Sequence, residues 1–402
     1  MASVVERHEA TVEECDVLVV GARPAGTATA TFLARSGLRV IVLDRSQPGT
    51  DTLSTHALTR TAMLVLGRLG VTAELIDKST PAIRNTTFHF GSEIVSVDIA
   101  ARDGIDALYA PRRTILDPAV SAAATGAGAS VRYGSTVKSL VKDQTGRVRG
   151  VSYVDGKADK ERIISASLVV GADGVRSIVA RQVGAETYWS RPEATAMIYS
   201  YFSNPGIVGY HWAYNVNATA GLIPTNGEQL CVWVGTPSER FMDSLRGDPK
   251  AAFDLLLNEA APEFADTFNS GRSTERFFGY AGQPSYLRQS FGPGWALVGD
   301  AGYFKDPLTA HGITDALSDA ESLAAAIVDS VASNSDEPLG AYQHRRDELG
   351  VGFASITCDI ASYNWDIDRI KELVRDEGRL LAKEAHARRE PIRPGRPHHP
   401  DS

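Results

Sequence analysis

The chain has 402 residues, 43% hydrophobic and 22% charged, which at roughly 150 residues per domain gives two or three folded domains and excludes a disordered chain or disulfide mini-protein. Its 41 basic and 49 acidic residues leave a net charge of −8, so the basic field of a nucleic-acid binder is missing and no such partner is expected. Cys15, Cys231 and Cys358 are widely spaced, which argues against a disulfide framework or zinc site and predicts no metal and a cytoplasmic location. Met1 to Glu14 lacks a signal-peptide core and no run reaches the 18 or so apolar residues of a membrane span.

In chain order, Cys15 to Val20 is an apolar run ending in glycine. Gly21 to Gly37 carries small residues with Phe32 and Leu33 at helical spacing, and Arg39 to Asp44 is a second apolar run. Strand, glycine turn, helix and strand within about thirty residues make a βαβ unit with parallel strands. A polar loop from Asp51 leads into a predicted helix ending near Leu75, and Thr86 to Ile99 alternates like exposed sheet. Asp117 to Thr125 reads as helix; Val131 to Val141, Val148 to Val154 and Ile163 to Val170 read as strands. Between Ala194 and Phe278 the texture becomes aromatic and alternating, with Asn226-Gly227 as a hairpin signal, which predicts a separate, mostly antiparallel sheet. Trp295 to Val298 restores the buried-strand pattern, Thr314 to Val331 and Tyr342 to Ala387 are predicted helices, and Lys305-Asp306 reads as a solvated loop.

Three segments carry chemistry. Gly21-Ala22-Arg23-Pro24-Ala25-Gly26 follows a strand and opens a helix, where a dinucleotide fingerprint belongs. Free amides and the positive dipole end of that helix suit a pyrophosphate, and Asp44, 23 residues beyond Gly21, can accept from a ribose. Arg23 stands where the middle glycine is usual. Leu168 to Ser177 places Asp173-Gly174 after a strand, and Trp295 to Ala301 contains Gly299-Asp300, followed by Pro307 and by Thr309-Ala-His-Gly-Ile-Thr-Asp315.

Taken in this order, the three segments resemble the flavoprotein monooxygenases of the para-hydroxybenzoate hydroxylase fold, a group that includes geranylgeranyl reductases and flavin halogenases. The resemblance spans roughly residues 14 to 330. It implies an α/β protein with a Rossmann-like FAD-binding domain, a second, mostly antiparallel substrate domain and C-terminal helices. The boundaries expected are 14–85, 100–185 and 286–335 for the discontinuous FAD-binding domain and 86–99 with 186–285 for the substrate domain. Helices are expected over 336–387, and a disordered tail rich in Pro, Arg and His over 388–402. Carried over residue by residue, the resemblance assigns Gly21 to Gly26 to the FAD pyrophosphate and Asp44, beside Arg45, to the adenosine ribose. Arg113 falls near the pyrophosphate, Val137 beside the adenine, and Asp173 with Gly174 serve both FAD and a transient NAD(P)H. Asp300 bonds the ribityl side, Pro307 lies beside the isoalloxazine, and the amides of Gly312 and Ile313 face the flavin pyrimidine. The family often has Ala-His where this chain has Gly302-Tyr303.

The loop Asp51 to His56 runs alongside the flavin in this fold, so Thr55 and His56 are candidates to touch the ring. His56 and His311 are candidate proton-exchanging groups, with simple structural hydrogen bonding as the alternative for each. By the two-residue period Tyr199 and Tyr201 share one face, as do Trp212 and Tyr214, while His211 points the other way. All five are candidates for substrate contact, with ordinary aromatic core as the alternative.

The activity implied is FAD-dependent monooxygenation. NAD(P)H reduces FAD, the reduced flavin captures O2 as a hydroperoxide, and a small aromatic or polyketide-like substrate is oxygenated. The alternatives are a double-bond reductase of the geranylgeranyl reductase type and a non-catalytic flavin binder. A halogenase is disfavoured because Trp212-Ala-Tyr214 lacks the Trp-x-Trp-x-Ile-Pro continuation. A separate flavin reductase, the choice between NADH and NADPH, and the oligomeric state stay open at this point.

Overall fold

A computed structural model describes residues 13–156, 160–269 and 271–395. Strand β1 (Glu13–Val20), helix α1 (Pro24–Arg35) and β2 (Val40–Leu43) form the βαβ unit, with β1 and β2 parallel in the register Val17 to Val40. Pro24 opens α1, where its missing N–H has no helical partner to lose. After a loop come α2 (Arg60–Leu69) and α3 (Thr72–Asp77), then the hairpin β3 (Asn85–Phe90) and β4 (Glu93–Asp98). Next follow α4 (Arg113–Gly126), β5 (Ser130–Arg132), β6 (Ser135–Lys142), β7 (Val148–Asp155), β8 (Glu161–Gly171), α5 (Ile178–Val183) and β9 (Thr187–Arg191). The aromatic region contains β10 (Thr195–Ser203), β11 (Tyr210–Asn215), β12 (Ala218–Thr225) and β13 (Gln229–Pro237), then α6 (Ser238–Ser244), α7 (Pro249–Ala260) and α8 (Pro262–Asn269). Five short strands come next: β14 (Phe278–Tyr280), β15 (Ser285–Arg288), β16 (Phe291–Gly292), β17 (Trp295–Leu297) and β18 (Tyr303–Phe304). The long helices α9 (Gly312–Ser333), α10 (Glu337–Ala361) and α11 (Ile367–Ala387) complete the order.

One sheet runs β16-β17-β8-β1-β2-β5, parallel from β17 to β5, with the β6–β7 ribbon attached to β8. Helices α1 and α9 pack on it through Ala28, Ala30, Leu33, Leu317, Ala320 and Leu323, all buried. Small side chains let the two helices approach, and the buried Thr29 and Thr31 hydroxyls donate to carbonyls one turn back, at 2.7 Å each. A second sheet runs β14-β10-β13-β12-β11-β3-β4 and is antiparallel except for the parallel β3–β11 pair. A three-stranded sheet, β18-β15-β9, lies apart from these two.

The structure corrects the sequence reading in several places. Val131 to Val141 is two strands, interrupted at Gly134, whose φ of +70° breaks the extended run. Helices α6 to α8 interrupt the region expected to be sheet; α7 buries Phe253, Leu256 and Leu257 against Ile198, Leu222 and Val232 on the outer face. The expected helix from Tyr342 to Ala387 is a pair beginning at Glu337 and split near Tyr363, where φ is +53°. Lys305 and Asp306 are buried, not solvated: Asp306 accepts from the amides of Thr195 (2.6 Å) and Leu308 (3.0 Å). The expected disordered tail begins with buried Arg388, whose carbonyl accepts from Arg68; residues 396–402 lie outside the described residues. Among the described residues no helix is long and apolar enough to cross a membrane.

Candidate active site

Strand order brings the three motifs together. Because β17, β8 and β1 are parallel neighbours, the turns after their carboxyl ends, at Gly299, Ala172 and Gly21, lie side by side. Backbone bonds fix them: Ala172 N–H donates to Val20 O (2.8 Å), Val298 N–H to Gly171 O (3.0 Å) and Gly21 N–H to Leu43 O (2.8 Å). The turn tolerates no side chain at two places. A Cβ on Gly21, at φ +110°, would stand 2.4 Å from Ala172 O, and one on Gly26 would stand 1.9 Å from Gly21 O.

Asp44 is engaged by backbone, accepting from Ala22 N–H and Ser46 N–H at 2.7 Å each, while Arg45 beside it is exposed. Arg23 fits the position usually held by glycine because its guanidinium is drawn aside. It donates to Asp117 (2.7 Å) and to Thr50 O (2.9 Å), and Asp117 also holds Arg113 at 2.7 and 3.0 Å. Val137 is buried on β6. Gly302-Tyr303 is a structural departure: the buried Tyr303 hydroxyl donates to Gly350 O (3.0 Å), anchoring α10.

Several groups at these turns lack protein partners. Asp173 caps Ile178 N–H (2.6 Å) with one oxygen, while its other buried oxygen has no partner. Burial pushes its pKa above the ordinary carboxylate value. Burial, and then the neighbouring Asp315, push Asp300 up to about 6. A Cβ added at Gly174 or Gly312 would meet nothing within 4 Å, so both backbones face open space. Gly312 and Ile313 begin α9, where amides have no helical acceptor. Unpaired donors at helix starts, an unpartnered carboxylate oxygen and open glycines fit the phosphates and hydroxyls of a bound dinucleotide.

The loop between β2 and α2 is sewn to the second sheet by three tyrosines. Ser54 N–H donates to Tyr199 hydroxyl (3.3 Å), His56 Nε2 bonds Tyr201 hydroxyl, and Leu58 N–H reaches Tyr210 hydroxyl (3.4 Å), which itself donates to Tyr109 O (2.8 Å). His56 is 1% exposed and adopts φ +69°; half-buried Thr55 precedes it. Burial, then Arg112 and Arg113, hold its basicity well below the ordinary histidine value. Arg112 lies over the Tyr201 ring, 3.7 Å from its centroid, and bonds Glu275 (2.9 Å), Gln229 (3.0 Å) and Asp51 (3.2 Å).

The predicted substrate residues separate accordingly. Tyr199 and Tyr201 are buried with their hydroxyls turned to the loop, and Tyr214 is buried against Phe90 and Trp365. Trp212 is half-buried against Tyr210 and Trp233. His211 is the correction: it lies on the outer face, bonded to His89 (3.0 Å) and Val208 O (3.1 Å) and edge-on to Phe264, away from the loop-facing tyrosines. Sequence reasoning missed Arg112, Tyr210 and Trp233. The indole of Trp233 lies where a Cβ of Gly221 would be, and the signal was the glycine opposite a tryptophan in the β12–β13 register.

The turn before α9 has its own charged support. Pro307 opens a short helical turn capped by Asp306. His311 is buried, stacked on Phe353 at 4.2 Å, with Nε2 2.9 Å from Glu384 and Nδ1 3.0 Å from Asp315. Burial alone would lower its basicity, but Glu384 and Asp315 raise it to about 9 in spite of Lys305. The three side chains bring ligand-type atoms within 4.8 Å of one another. Lys305 Nζ lies 2.8 Å from His311 and 2.9 Å from Asp315, so the positive charge in this cluster is already supplied by protein. Thr59 and Thr314 hydroxyls, 3.0 Å apart, join this turn to the His56 loop.

With this geometry in place, residues 14–354 match the family described as FAD binding domain. The chain belongs to that family. It is 27% identical over 329 residues to menaquinone reductase of Mycolicibacterium smegmatis, covering 74% of this chain and 72% of that one. It is 26% identical over 358 residues to digeranylgeranylglycerophospholipid reductase of Methanothrix thermoacetophila, covering 84% of each. Its fold matches P. aeruginosa PqsL in complex with 2-aminobenzoylacetate at a TM-score of 0.78, with 20% identity, over 90% of this chain and 100% of that one.

Proposed function

We propose that this FAD-family protein is a monooxygenase that takes hydride from NAD(P)H and uses O2 to oxygenate a compact aromatic substrate in the cytoplasm. The observation that carries the choice of a compact substrate is the closed inner face of the second sheet. Tyr199, Tyr201, Tyr210, Tyr214 and Trp233 are each 5% exposed or less, so this face offers no open apolar trough for a long chain. The apolar side chains left accessible near this face are few, with Leu53 50% exposed and Phe278 half-buried beside Tyr199, which favours a small planar ring over a long chain. PqsL, the structural neighbour, was solved with a compact aromatic ligand.

When bound, FAD supplies the hydride acceptance and the oxygen chemistry. The Gly21–Gly26 turn and the start of α1 would hold its pyrophosphate, assisted by Arg113, and the carboxyl of Asp300 would bind a hydroxyl. The amides of Gly312 and Ile313, backed by the His311 cluster, favour negative charge on the ring. The aromatic face excludes water from the reacting region. The test is mass spectrometry of products formed from a panel of phenols and fused-ring aromatics under labelled O2. One labelled oxygen in a product is expected; turnover without label would overturn the reading.

The second reading, reduction of a quinone or isoprenoid double bond, is favoured by the two reductase relatives. Oxygen-free turnover of a quinone or polyprenyl substrate would select it.

A further inference from the structure

His89 on β3 and His211 on β11 lie on the outer face of the second sheet, on neighbouring parallel strands. The register sets His211 beside Thr87 and His89 beside Ala213, so the two histidines are diagonal neighbours on one face. Helix α8 packs against them. Phe264 meets both imidazoles edge to face, with centroids 5.4 and 5.6 Å apart, and Glu263 Oε1 stands 2.8 Å from His89 Nδ1. Beyond the pair, His211 Nε2 lies 3.1 Å from Val208 O. Between the rings, His89 Nε2 faces His211 Nδ1 at 3.0 Å. Each of these three contacts is too short to hold without a proton or a cation between its atoms. Two neutral imidazoles bring two protons, and the outer contacts claim both, because a carboxylate and a carbonyl accept without donating. The inner contact is left with two facing lone pairs. A third proton would make one ring an imidazolium, but burial holds both rings below the ordinary histidine basicity, His89 in spite of Glu263 and His211 in spite of the Val208 carbonyl.

We infer that His89 Nε2 and His211 Nδ1 form a binding site for a divalent first-row metal ion such as Zn2+, with water completing the coordination. Imidazole nitrogens suit this class of ion, whereas Mg2+ and Ca2+ take oxygen ligands. The outer contacts are those of metal-binding histidines, which give their second ring N–H to a carboxylate or a backbone carbonyl and so fix which nitrogen is free. Glu263 and the Val208 carbonyl are therefore the positioning groups. Two nitrogens on a tetrahedral Zn2+ stand about 3.4 Å apart, so the rings need to part only slightly from 3.0 Å. His211 is half-buried and the Glu263 side chain is 39% exposed, which leaves water a route to the ion. The ion ties β3, β11 and α8 together on the face turned away from the loop-facing tyrosines, so the site does not rest on the monooxygenase reading. The expectation of no metal came from the cysteines; these two histidines are 122 residues apart in sequence and meet only in the sheet.

The test is calorimetric titration of chelator-treated, full-length protein with Zn2+ near neutral pH, beside the variants His211→Ala and Glu263→Gln, with circular dichroism to confirm that each is folded. The native chain is expected to take up a single equivalent, and His211→Ala to lose it. Should His211→Ala not fold, His89→Gln makes the same comparison. Glu263→Gln keeps both ligands and should keep the stoichiometry, with affinity weaker by about tenfold or more; a residue that merely packs would not move it. X-ray absorption of the zinc-loaded protein should show imidazole nitrogens at about 2.0–2.1 Å. Uptake unchanged in His211→Ala would put the ion on exposed histidines such as His344 and overturn the inference. Absence of saturable uptake by the folded native chain would overturn it as well, and would mean that a third proton closes the contact. Turnover without oxygen incorporation would overturn the monooxygenase reading and leave the zinc result standing.

Discussion

Two buried histidines lie on segments linked through the Thr59–Thr314 hydroxyl pair, and they are held in opposite charge states. His56 has a phenol on one nitrogen, nothing on the other and two guanidinium groups nearby, so it stays neutral. His311 has carboxylates at both nitrogens, and these outweigh Lys305 and hold it protonated. Each is 1% exposed. Burial therefore does not decide the charge of a histidine; the partners do.

The contrast can be broken from the His311 side with the largest effect. Glu384→Ala leaves the buried cluster short of one carboxylate and is expected to cost about 3–5 kcal/mol, read from urea unfolding. The pH dependence follows from the same pair. The folded value of His311, about 9, lies above its ordinary 6.5. Its contribution, about 3 kcal/mol, is fully present below pH 6.5 and lost as pH rises through 9. His56 has the opposite sign: below its ordinary 6.5 the unfolded chain takes a proton that the folded ring refuses, so stability falls as pH drops. Unfolding midpoints across this range should fall at both ends, and Glu384→Gln should flatten only the alkaline limb. Tyr201→Phe sharpens the other half of the comparison. It strands the Nε2 of His56 and should cost about 1–3 kcal/mol by thermal unfolding. The smallest effect is expected from Arg23→Ala. Arg113 keeps Asp117 paired and the Arg23 side chain is 30% exposed, so stability should fall by about 1 kcal/mol or less. FAD affinity, measured by reconstitution, should fall less than about threefold.

The three motif turns were legible because each is local in sequence. Gly21 to Gly26, Asp173-Gly174 and Gly299-Asp300 each sit in a short strand-turn segment, and a glycine that must avoid a carbonyl announces itself in sequence. The aromatic sheet was legible only in its alternation. Period two separated His211 from Trp212, but it could not show that the Tyr199, Tyr201 and Tyr210 hydroxyls turn to a loop more than 140 residues earlier. Nor could it show that Arg112 stacks on Tyr201. Asp306 was misread for the same reason, since it is capped by the amide of Thr195 from 111 residues earlier, whereas Lys305 is held by His311 and Asp315 nearby in sequence, and residue type alone did not show that this short segment turns inward.

The most direct measurement of the central claim is anaerobic mixing of the FAD-loaded protein with NADPH and a candidate aromatic substrate, followed by admission of oxygen. The account predicts that the yellow colour bleaches without oxygen, that no product forms until oxygen enters, and that an oxygenated ring then accompanies the returning colour. Colour restored under anaerobic conditions by a quinone or polyprenyl acceptor, with no oxygenated product from any aromatic, would contradict it.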